Sequence, residues 1–363
     1  MSLSIGIVGL PNVGKSTLFN AILKKQMAYV ANYPFATIEP NVGVVPVPDE
    51  RLKKLAEITK DEHKMTSLPP IKPATVSFVD IAGLVKGASV GEGLGNKFLS
   101  HIREVDAICH VVRYFKDPDV AHVSGQVNPD SDSKIINMEL ILADLQTVTN
   151  ARDRGSSFAK ASADKQKVPV KGFKEAITKL EKALNLGILA KDADLTEEEN
   201  ESIKDLHLLT LKPMFYAANV DEEDLKKQYP KDTIAVSAKI ESELVILSEE
   251  EQKDYLSDLG INESGLERII KKGYEILDLI SFLTAGEKEV RAWTIKKGTT
   301  AVNAAGVIHT DFIKGFIKAE VISFLDFVSN GGWKRCRENG KTRLEGKDYL
   351  VKDGDIIEFK INS

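Results

Sequence analysis

The sequence predicts an α/β protein in which a mostly parallel sheet carries a helical insertion and is followed by a small α+β module. Three observations lead to this prediction. Short apolar runs alternate with helical segments through much of the chain, as in parallel sheets. Helix periodicity replaces this rhythm between residues 131 and 210. Alternating, turn-rich segments return from about residue 279.

Length and composition agree with several folded domains. The 363 residues include 49 Lys+Arg and 54 Asp+Glu, and 42% are hydrophobic, which excludes disorder and collagen-like structure. The two cysteines, Cys109 and Cys336, cannot form a disulfide framework and favour a reducing, intracellular setting. There is neither an apolar run of transmembrane length nor a signal-peptide pattern. We therefore expect a cytoplasmic protein without a membrane partner.

The strands of the parallel sheet are predicted from apolar runs that end in polar or glycine-rich segments. A helix from about Lys15 to Lys25 follows the first strand. The predicted strands are Ser4–Leu10, Thr75–Asp80, Ala107–Val112, Met214–Asn219 and Thr233–Ser237.

The insertion is predicted to be an antiparallel helical hairpin with coiled-coil packing. Each of its two helices carries an apolar seam with coiled-coil spacing, although each seam lasts under two heptads. The seam residues are Met138, Ile141, Leu145 and Val148 on the first helix and Phe173, Ile177, Leu180 and Leu184 on the second.

The C-terminal module is predicted to combine strands, a short helix near residues 315–320 and a hairpin. The hairpin joins residues 349–351 to 356–361 through a turn at Asp353-Gly354. The predicted domains are residues 1–130 together with 211–278, the insertion 131–210, and the module 279–363.

A phosphate-binding loop follows the first strand. Residues 9–17 match G-x-x-x-x-G-K-[ST] between a strand and a helix. The glycines let backbone N–H groups converge on phosphates, Lys15 reaches the β- and γ-phosphates, and the Ser16 hydroxyl ligates Mg²⁺. The motif therefore predicts a P-loop NTPase domain that binds a nucleoside triphosphate. Its predicted nucleotide-binding residues are Gly9, Asn12, Val13, Gly14, Lys15, Ser16 and Thr17.

A second element of the phosphate site is predicted where the strand 75–80 ends. Asp80-Ile81-Ala82-Gly83 has the form D-x-x-G. The Asp80 carboxylate would hold Mg²⁺ through water, and Gly83 would lie near the γ-phosphate. The glycine-rich run that follows is typical of a mobile switch.

Together these motifs give the sequence a family resemblance. The P-loop, D-x-x-G and residues 32–41 resemble the Obg group of translation-factor-type GTPases. With residues 83–89, the insertion and the C-terminal module, the chain resembles the YchF (Obg-like ATPase) family along essentially its full length. The resemblance implies that Thr37 closes on Mg²⁺ and that residues 279–363 form a TGS domain, a β-grasp fold linked to RNA or ribosome contact.

The segment that recognises the base departs from the guanine-specific pattern N-K-x-D. Here the residues are Asn219-Val220-Asp221-Glu222. The lysine is missing, and the fourth residue is a glutamate, whose side chain is longer than that of aspartate. In the YchF family this change accompanies acceptance of ATP, with Asn219 and the Val220 backbone facing adenine. Ser237, Ala238 and Lys239 match the remaining base loop. We expect ATP to bind at least as well as GTP; a pocket that still selects guanine is the alternative.

The residue that would orient the attacking water also differs. Many GTPases use a glutamine after D-x-x-G, but Leu84 stands here and cannot form that hydrogen bond. We expect slow hydrolysis with Lys15 and His122 as the catalytic candidates; a purely structural role for His122 is the alternative. Asn12 resembles the asparagine that binds an activating K⁺ in related enzymes.

Two basic clusters are candidates for contact with RNA. Residues 151–182 contain nine basic and four acidic residues, and a second cluster lies near the C-terminus. An ordinary solvated surface is the alternative for each. The predicted contacts are Lys165, Lys167, Lys171, Lys334, Arg335, Arg337, Lys341 and Arg343.

The sequence therefore predicts a slow Mg²⁺-dependent ATPase that acts as a switch and contacts the ribosome or structured RNA. Sequence-specific DNA binding is not expected. A guanine-specific GTPase and an RNA- or protein-binding scaffold with vestigial hydrolysis are the alternatives.

Overall fold

The structure is a computed structural model that describes residues 3–32, 41–81, 94–122, 125–161 and 172–362. Six residues considered above fall outside this part of the chain. They are Thr37, Gly83, Leu84, Lys165, Lys167 and Lys171.

The described residues form the following strands and helices. The strands are β1 Ser4–Val8, β2 Val42–Pro46, β3 Ile71–Lys72, β4 Thr75–Asp80, β5 Ala107–Arg113, β6 Met214–Asn219, β7 Thr233–Val236, β8 Leu279–Ala285, β9 Val290–Lys296, β10 Phe316–Ser323, β11 Arg343–Glu345 and β12 Asp355–Ile361. The helices are α1 Lys15–Asn32, α2 Arg51–His63, α3 Leu94–Glu104, α4 Pro129–Ala161, α5 Phe173–Asn185, α6 Glu197–Ser202, α7 Ala238–Leu244, α8 Glu249–Asp258, α9 Gly265–Ile276, α10 Ala301–Ile308, α11 Asp311–Gly315, α12 Phe324–Asn330 and α13 Trp333–Glu338. Within the described ranges, none of these helices combines the length and apolarity needed to cross a bilayer.

The first sheet has the strand order β2-β4-β1-β5-β6-β7. Strand β1 pairs in parallel with β4 and β5, and β6 pairs in parallel with β5 and β7. Ile7 of β1 is in register with Asp80 of β4 and Cys109 of β5. The parallel arrangement therefore brings the carboxyl ends of these strands to one edge, where ligands bind in open α/β sheets.

The predicted strands of this sheet are confirmed to within two residues at their ends. Helix α1 continues to Asn32, seven residues beyond the predicted end. Strand β2 was not predicted from the sequence. Its five residues VGVVP end in proline, and a run that short carries little periodicity of its own.

Helices α4 and α5 of the insertion pack on each other through most of the predicted seam. Ile141, Val148, Ile177, Leu180 and Leu184 form a buried core, which Leu145 and Phe173 flank. Met138 is an exception, because its side chain is 48% exposed while Ile136 and Leu140 on either side of it are buried. The helical pairing is confirmed, and the coiled-coil geometry stays a prediction.

A buried carboxylate joins α4 to the segment that leads back to the sheet. The two carboxylate oxygens of Asp144 accept hydrogen bonds from Leu209 N, Thr210 N and Thr210 Oγ1 at 2.6–2.8 Å. Burial raises the pKa of Asp144, and these hydrogen bonds act in the opposite direction. A polar contact therefore fixes α4 to residues 209–210, which come shortly before β6.

Residues Val44–Val76 and Ile270–Ser363 form a second compact unit; Met1–Gly43 and Ser77–Ile269 form the first. The second sheet has the strand order β11-β10-β12-β8-β9-β3.

The predicted hairpin is wrong, because β12 pairs antiparallel with β10 and parallel with β8, which leaves it no free edge for residues 349–351. The helix predicted near residues 315–320 is also wrong, since Phe316–Ser323 is strand β10.

This division differs from the predicted domain boundaries, because residues 44–76 belong with the C-terminal residues. Strand β3 pairs with β9, and the Glu62 carboxylate accepts hydrogen bonds from Trp333 N and Lys334 N at the start of α13. Arg51 pairs with Asp353 at 2.7 Å. These contacts join residues more than 200 positions apart, which a local sequence pattern cannot report.

An uncharged histidine lies in the core of the first sheet. His110 of β5 is fully buried, its Nδ1 has no hydrogen-bond partner, and its ring lies 5.3 Å from that of Tyr216. Burial lowers the pKa of His110 to about 3. In the unfolded chain the same side chain takes up a proton near pH 6.5.

We expect His110 to make the free energy of unfolding fall as the pH is lowered from about 6.5 to 4. Between those values the unfolded chain binds a proton that the folded chain excludes, at a cost of up to about 1.4 kcal/mol per pH unit. Urea unfolding of His110→Phe should show a shallower pH dependence than the wild type. His101→Gln, which changes an exposed histidine, should keep the wild-type slope. Parallel curves for wild type and His110→Phe would contradict the prediction.

Candidate nucleotide-binding site

The P-loop joins β1 to α1 at the carboxyl edge of the first sheet. A Cβ on Gly9 would lie 2.7 Å from the Val111 carbonyl oxygen, so the loop passes too close to β5 for a side chain there. Gly14 has φ +90°, a left-handed conformation that favours glycine. Ser16 and Thr17 are exposed in the first turn of α1. The loop therefore directs backbone N–H groups and hydroxyls toward this edge.

Lys15 connects the P-loop to the end of β4. Its side chain is largely buried, and its Nζ donates hydrogen bonds to Asp80 Oδ1 at 2.6 Å and to the Ile81 carbonyl oxygen at 2.8 Å. The structure thus brings together the two residues that the separate motifs predicted. A cation and a carboxylate now lie side by side where phosphates and a metal ion would bind.

The side chain of Asn219 links the P-loop to the base loop. Its Nδ2 donates to the Val13 carbonyl oxygen at 2.9 Å, and its Oδ1 accepts from Ala238 N at 3.0 Å. The Asn219 carbonyl oxygen accepts from Tyr114 N and Phe115 N. Asn219 therefore holds three segments together, a role that the prediction of base contact did not include.

The neighbouring residues have unequal access to a base. Val220 N donates to the Val236 carbonyl oxygen at 2.9 Å, so this N–H is used between β6 and β7. Glu222 and Lys239 are exposed, whereas Ser237 and Ala238 are buried. Asp221, which was not among the predicted site residues, accepts from Lys116 N at 3.1 Å. Its position two residues after the end of a buried strand is the signal that could have drawn attention to it.

His122 follows a residue that contacts the P-loop, and its ring is hydrogen-bonded to a buried carboxylate. Its Nε2 is 2.8 Å from Asp132 Oδ2 on α4, and the two side chains are 5% and 3% exposed. The preceding residue, Ala121, accepts a hydrogen bond from Asn12 Nδ2 at 3.1 Å. The structure therefore places the His122 segment against the phosphate loop and assigns the ring itself a carboxylate partner.

The oxygen donors predicted to hold Mg²⁺ suit that ion. Ser16 offers an exposed hydroxyl, and the Asp80 carboxylate is 22% exposed at the end of β4. Hydroxyl, carboxylate and water oxygens are the ligands that Mg²⁺ prefers. Within the part of the chain that the structure describes, no group of three His, Cys, Asp or Glu residues could form a protein-only metal site. The Ser16 hydroxyl and the Asp80 carboxylate are donors of the kind that Mg²⁺ takes.

Comparison with known proteins agrees with this site. A family described as "50S ribosome-binding GTPase" matches residues 4–150. The YchF GTPase C-terminal family, described as a protein of unknown function, matches residues 279–362. The "Ribosome-binding ATPase YchF" of Bacillus subtilis is 50% identical over 377 residues, and that of Haemophilus influenzae is 50% identical over 374 residues. Both alignments cover 100% of each chain.

The chain belongs to the YchF family. A solved structure, that of the Schizosaccharomyces pombe YchF GTPase, is 40% identical and has a TM-score of 0.84. It covers 99% of this chain and 98% of its own. The YchF architecture therefore extends over the whole chain, and its residues 4–150 are the part that matches the GTPase family.

The basic cluster of the YchF C-terminal unit is partly neutralised by acidic neighbours. Arg337 forms a bidentate pair with Glu320, with both N–O distances at 2.8 Å, and contacts Glu358 at 2.6 Å. The Arg337 guanidinium lowers the pKa of Glu320. Lys341 pairs with Asp326, and Arg343 with Asp355. Three of the five cations predicted here therefore have anionic partners within the protein.

Lys334 and Arg335 differ from those three cations. Both side chains are exposed on α13. Within residues 172–362 neither has an acidic partner within ion-pair distance. They are the described members of the predicted cluster whose charge is directed to solvent.

We expect Asn219→Ala to weaken nucleotide binding about tenfold or more, because it leaves Val13 O and Ala238 N without buried partners, at about 1–3 kcal/mol each. Gly14→Ala should have a similar effect, since its Cβ would lie 2.1 Å from Asn219 Nδ2. The measurement is the Kd of a fluorescent nucleotide. Asn185→Ala, which removes an exposed asparagine, is the control. Wild-type affinity in both site variants would show that the link does not support the site.

Proposed function

We propose that this chain hydrolyses ATP, with GTP as a second substrate, as a slow conformational switch that associates with the ribosome. The observation that carries the proposal is the hydrogen bond from Lys15 Nζ to Asp80 Oδ1, which unites the phosphate-binding and metal-binding motifs at one sheet edge. Full-length relatives at 50% identity bear the name "Ribosome-binding ATPase YchF". Ribosome association would place the protein in the cytoplasm.

The phosphate chemistry follows from the residues at this edge. Backbone N–H groups of residues 9–17 and the start of α1 would bind the phosphates, with Lys15 as the cation among them. Phosphate oxygens would compete with Asp80 and the Ile81 carbonyl for the Lys15 ammonium group. Ser16 and Asp80 would hold Mg²⁺, which neutralises charge on the phosphates when bound; K⁺ held with the help of Asn12 is a further proposal. Thr37 and Gly83 would respond to the γ-phosphate.

Nucleotide choice is less constrained by this pocket than in a guanine-specific protein. The Val220 N–H is already bonded within the sheet, and the Asn219 amide keeps only one N–H and one lone pair for a base. The exposed Glu222 replaces the aspartate that reads guanine. The names of the relatives refer to both nucleotides, since the bacterial proteins are called ATPases and the yeast structure a GTPase. We propose that ATP binds at least as well as GTP.

We expect a titration of nucleotide-free protein to give an ATP Kd equal to or below the GTP Kd. The reason is that Glu222 cannot place its carboxylate on guanine as the shorter aspartate does. Calorimetry with both nucleotides in Mg²⁺ measures this, and repetition in EDTA should weaken binding because Ser16 and Asp80 would then lack their ion. Glu222→Asp should shift the ratio toward GTP. A clear wild-type preference for GTP would support the guanine-specific alternative.

We also propose that His122 takes part in hydrolysis, in place of the glutamine that Leu84 replaces. The support is its position directly after Ala121, whose carbonyl oxygen touches Asn12 of the P-loop. The Asp132 carboxylate would fix the orientation of the ring, because it bonds Nε2. The structural role remains the alternative, since the hydrogen bond to Asp132 alone would explain a buried histidine.

The basic clusters support contact with the ribosome or structured RNA. Lys334 and Arg335 present uncompensated charge, and Lys165, Lys167 and Lys171 are proposed as a second contact in the insertion. A scaffold with vestigial hydrolysis would share these contacts. ATP turnover that is measurable in the wild type and lost in Lys15→Ala would support the enzyme hypothesis over the scaffold hypothesis.

We expect the double variant Lys334→Ala/Arg335→Ala to bind ribosomes more weakly. The plot of log binding constant against log salt concentration should also become shallower by about 1 to 2, because one or two phosphate contacts are lost. Co-sedimentation of the full chain with ribosomes at several salt concentrations measures both. The matched control is Lys204→Ala/Lys227→Ala, which removes two ion-paired surface lysines. An unchanged affinity and slope would exclude this cluster from the interface.

A further inference from the structure

We propose that Arg113 is a positioning residue for hydrolysis, which folds residues 114–122 so that Ala121 contacts the P-loop and His122 follows that contact in the chain. This inference rests on the proposed function. It concerns a residue outside both nucleotide motifs.

Arg113 is the last residue of β5 and is 1% exposed. Its guanidinium donates to three main-chain carbonyl oxygens, those of Phe115 at 3.3 Å, Val120 at 3.0 Å and Asp117 at 3.1 Å. The guanidinium carbon also lies 4.3 Å from the centre of the Phe115 ring. A single side chain therefore contacts both ends and the middle of the segment 115–120.

The charge of Arg113 has no carboxylate beside it. Among the described residues no Asp or Glu lies within ion-pair distance of its guanidinium, and its hydrogen bonds go to the three carbonyl oxygens. Burial of an unpaired charge is costly unless hydrogen bonds compensate for it. An apolar residue at the end of a buried strand would avoid that cost. The arginine therefore fixes the backbone conformation of residues 115–120, because its nitrogens donate to three carbonyl oxygens of that segment.

The folded segment connects the elements of the nucleotide site. At its start Tyr114 N and Phe115 N donate to the Asn219 carbonyl oxygen, and Lys116 N donates to Asp221 Oδ2. At its end Ala121 O accepts from Asn12. His122 then pairs with Asp132 of α4. Arg113 binds the carbonyls that lie between these anchors.

Removal of the guanidinium should therefore affect turnover more than binding. Asn219 keeps its own hydrogen bonds to Val13 and Ala238, so the nucleotide Kd should stay within about threefold. Displacement of a catalytic segment by about 1 Å can cost about 100-fold, and we expect Arg113→Ala to lower turnover roughly 10- to 100-fold. Arg113→Lys should be similarly impaired, because one ammonium group cannot span three carbonyl oxygens.

The experiment compares wild type, Arg113→Ala, Arg113→Lys and the control Arg152→Ala, which removes an exposed arginine. Each full-length chain is assayed for nucleotide Kd, turnover at saturating ATP, thermal unfolding and hydrogen exchange. Millimolar guanidinium chloride is added to Arg113→Ala, where the ion can enter the space left by the side chain. Expected are lost turnover that guanidinium partly restores and faster exchange confined to residues 114–122. The double variant Arg113→Ala/His122→Ala should be no slower than His122→Ala alone.

Several results would overturn the inference. One is wild-type turnover in a folded Arg113→Ala or Arg113→Lys chain. Another is a parallel loss of Kd, turnover and thermal stability that guanidinium does not restore. If Arg113→Ala does not fold, Arg113→Lys decides the question by the same measurements. Absence of turnover in the wild type would instead refute the proposed function, and hydrogen exchange of residues 114–122 would still test the position of the segment.

Discussion

The amide of Asn219 is the interaction on which the nucleotide-binding unit depends. Its side chain joins Val13 of the P-loop to Ala238 of the base loop, and its main-chain carbonyl oxygen carries the start of the segment 114–122. One residue at the end of β6 therefore holds the phosphate loop, the base loop and residues 114–122 in place. The absence of a side chain at Gly14 follows from the same contact, because Asn219 Nδ2 occupies the space that a Cβ would need.

The sequence was informative wherever a pattern was local. Apolar runs located the parallel strands, most clearly β5 and β6, which are buried along almost their whole length. Helix periodicity located α4 and α5. Long-range pairing escaped prediction: β12 lies between β10 and β8, and residues 44–76 join the C-terminal unit through β3 and Glu62. Nothing near these residues in the chain reports a partner that is distant in sequence.

For the site, the sequence identified residues better than their roles. Lys15 and Asp80 could be paired in advance, because parallel strands place both motifs at one edge. Asn219 was expected to face the base, yet two protein groups occupy its amide, and His122 was expected near the phosphates without its buried partner Asp132. Such contacts depend on side-chain packing between distant segments. Arg113 left a detectable signal, a charged residue that ends a strand buried along its whole length.

The charges on the C-terminal unit have a consequence for how a partner would approach it. Glu320, Arg337, Glu358 and Lys360 alternate in sign across neighbouring positions. Such an arrangement is an electrical multipole, whose potential decays with distance faster than that of a net charge and is further reduced by salt. These four side chains by themselves therefore attract little from afar. They discriminate at contact, where a partner must match the order of the charges and not only their sum.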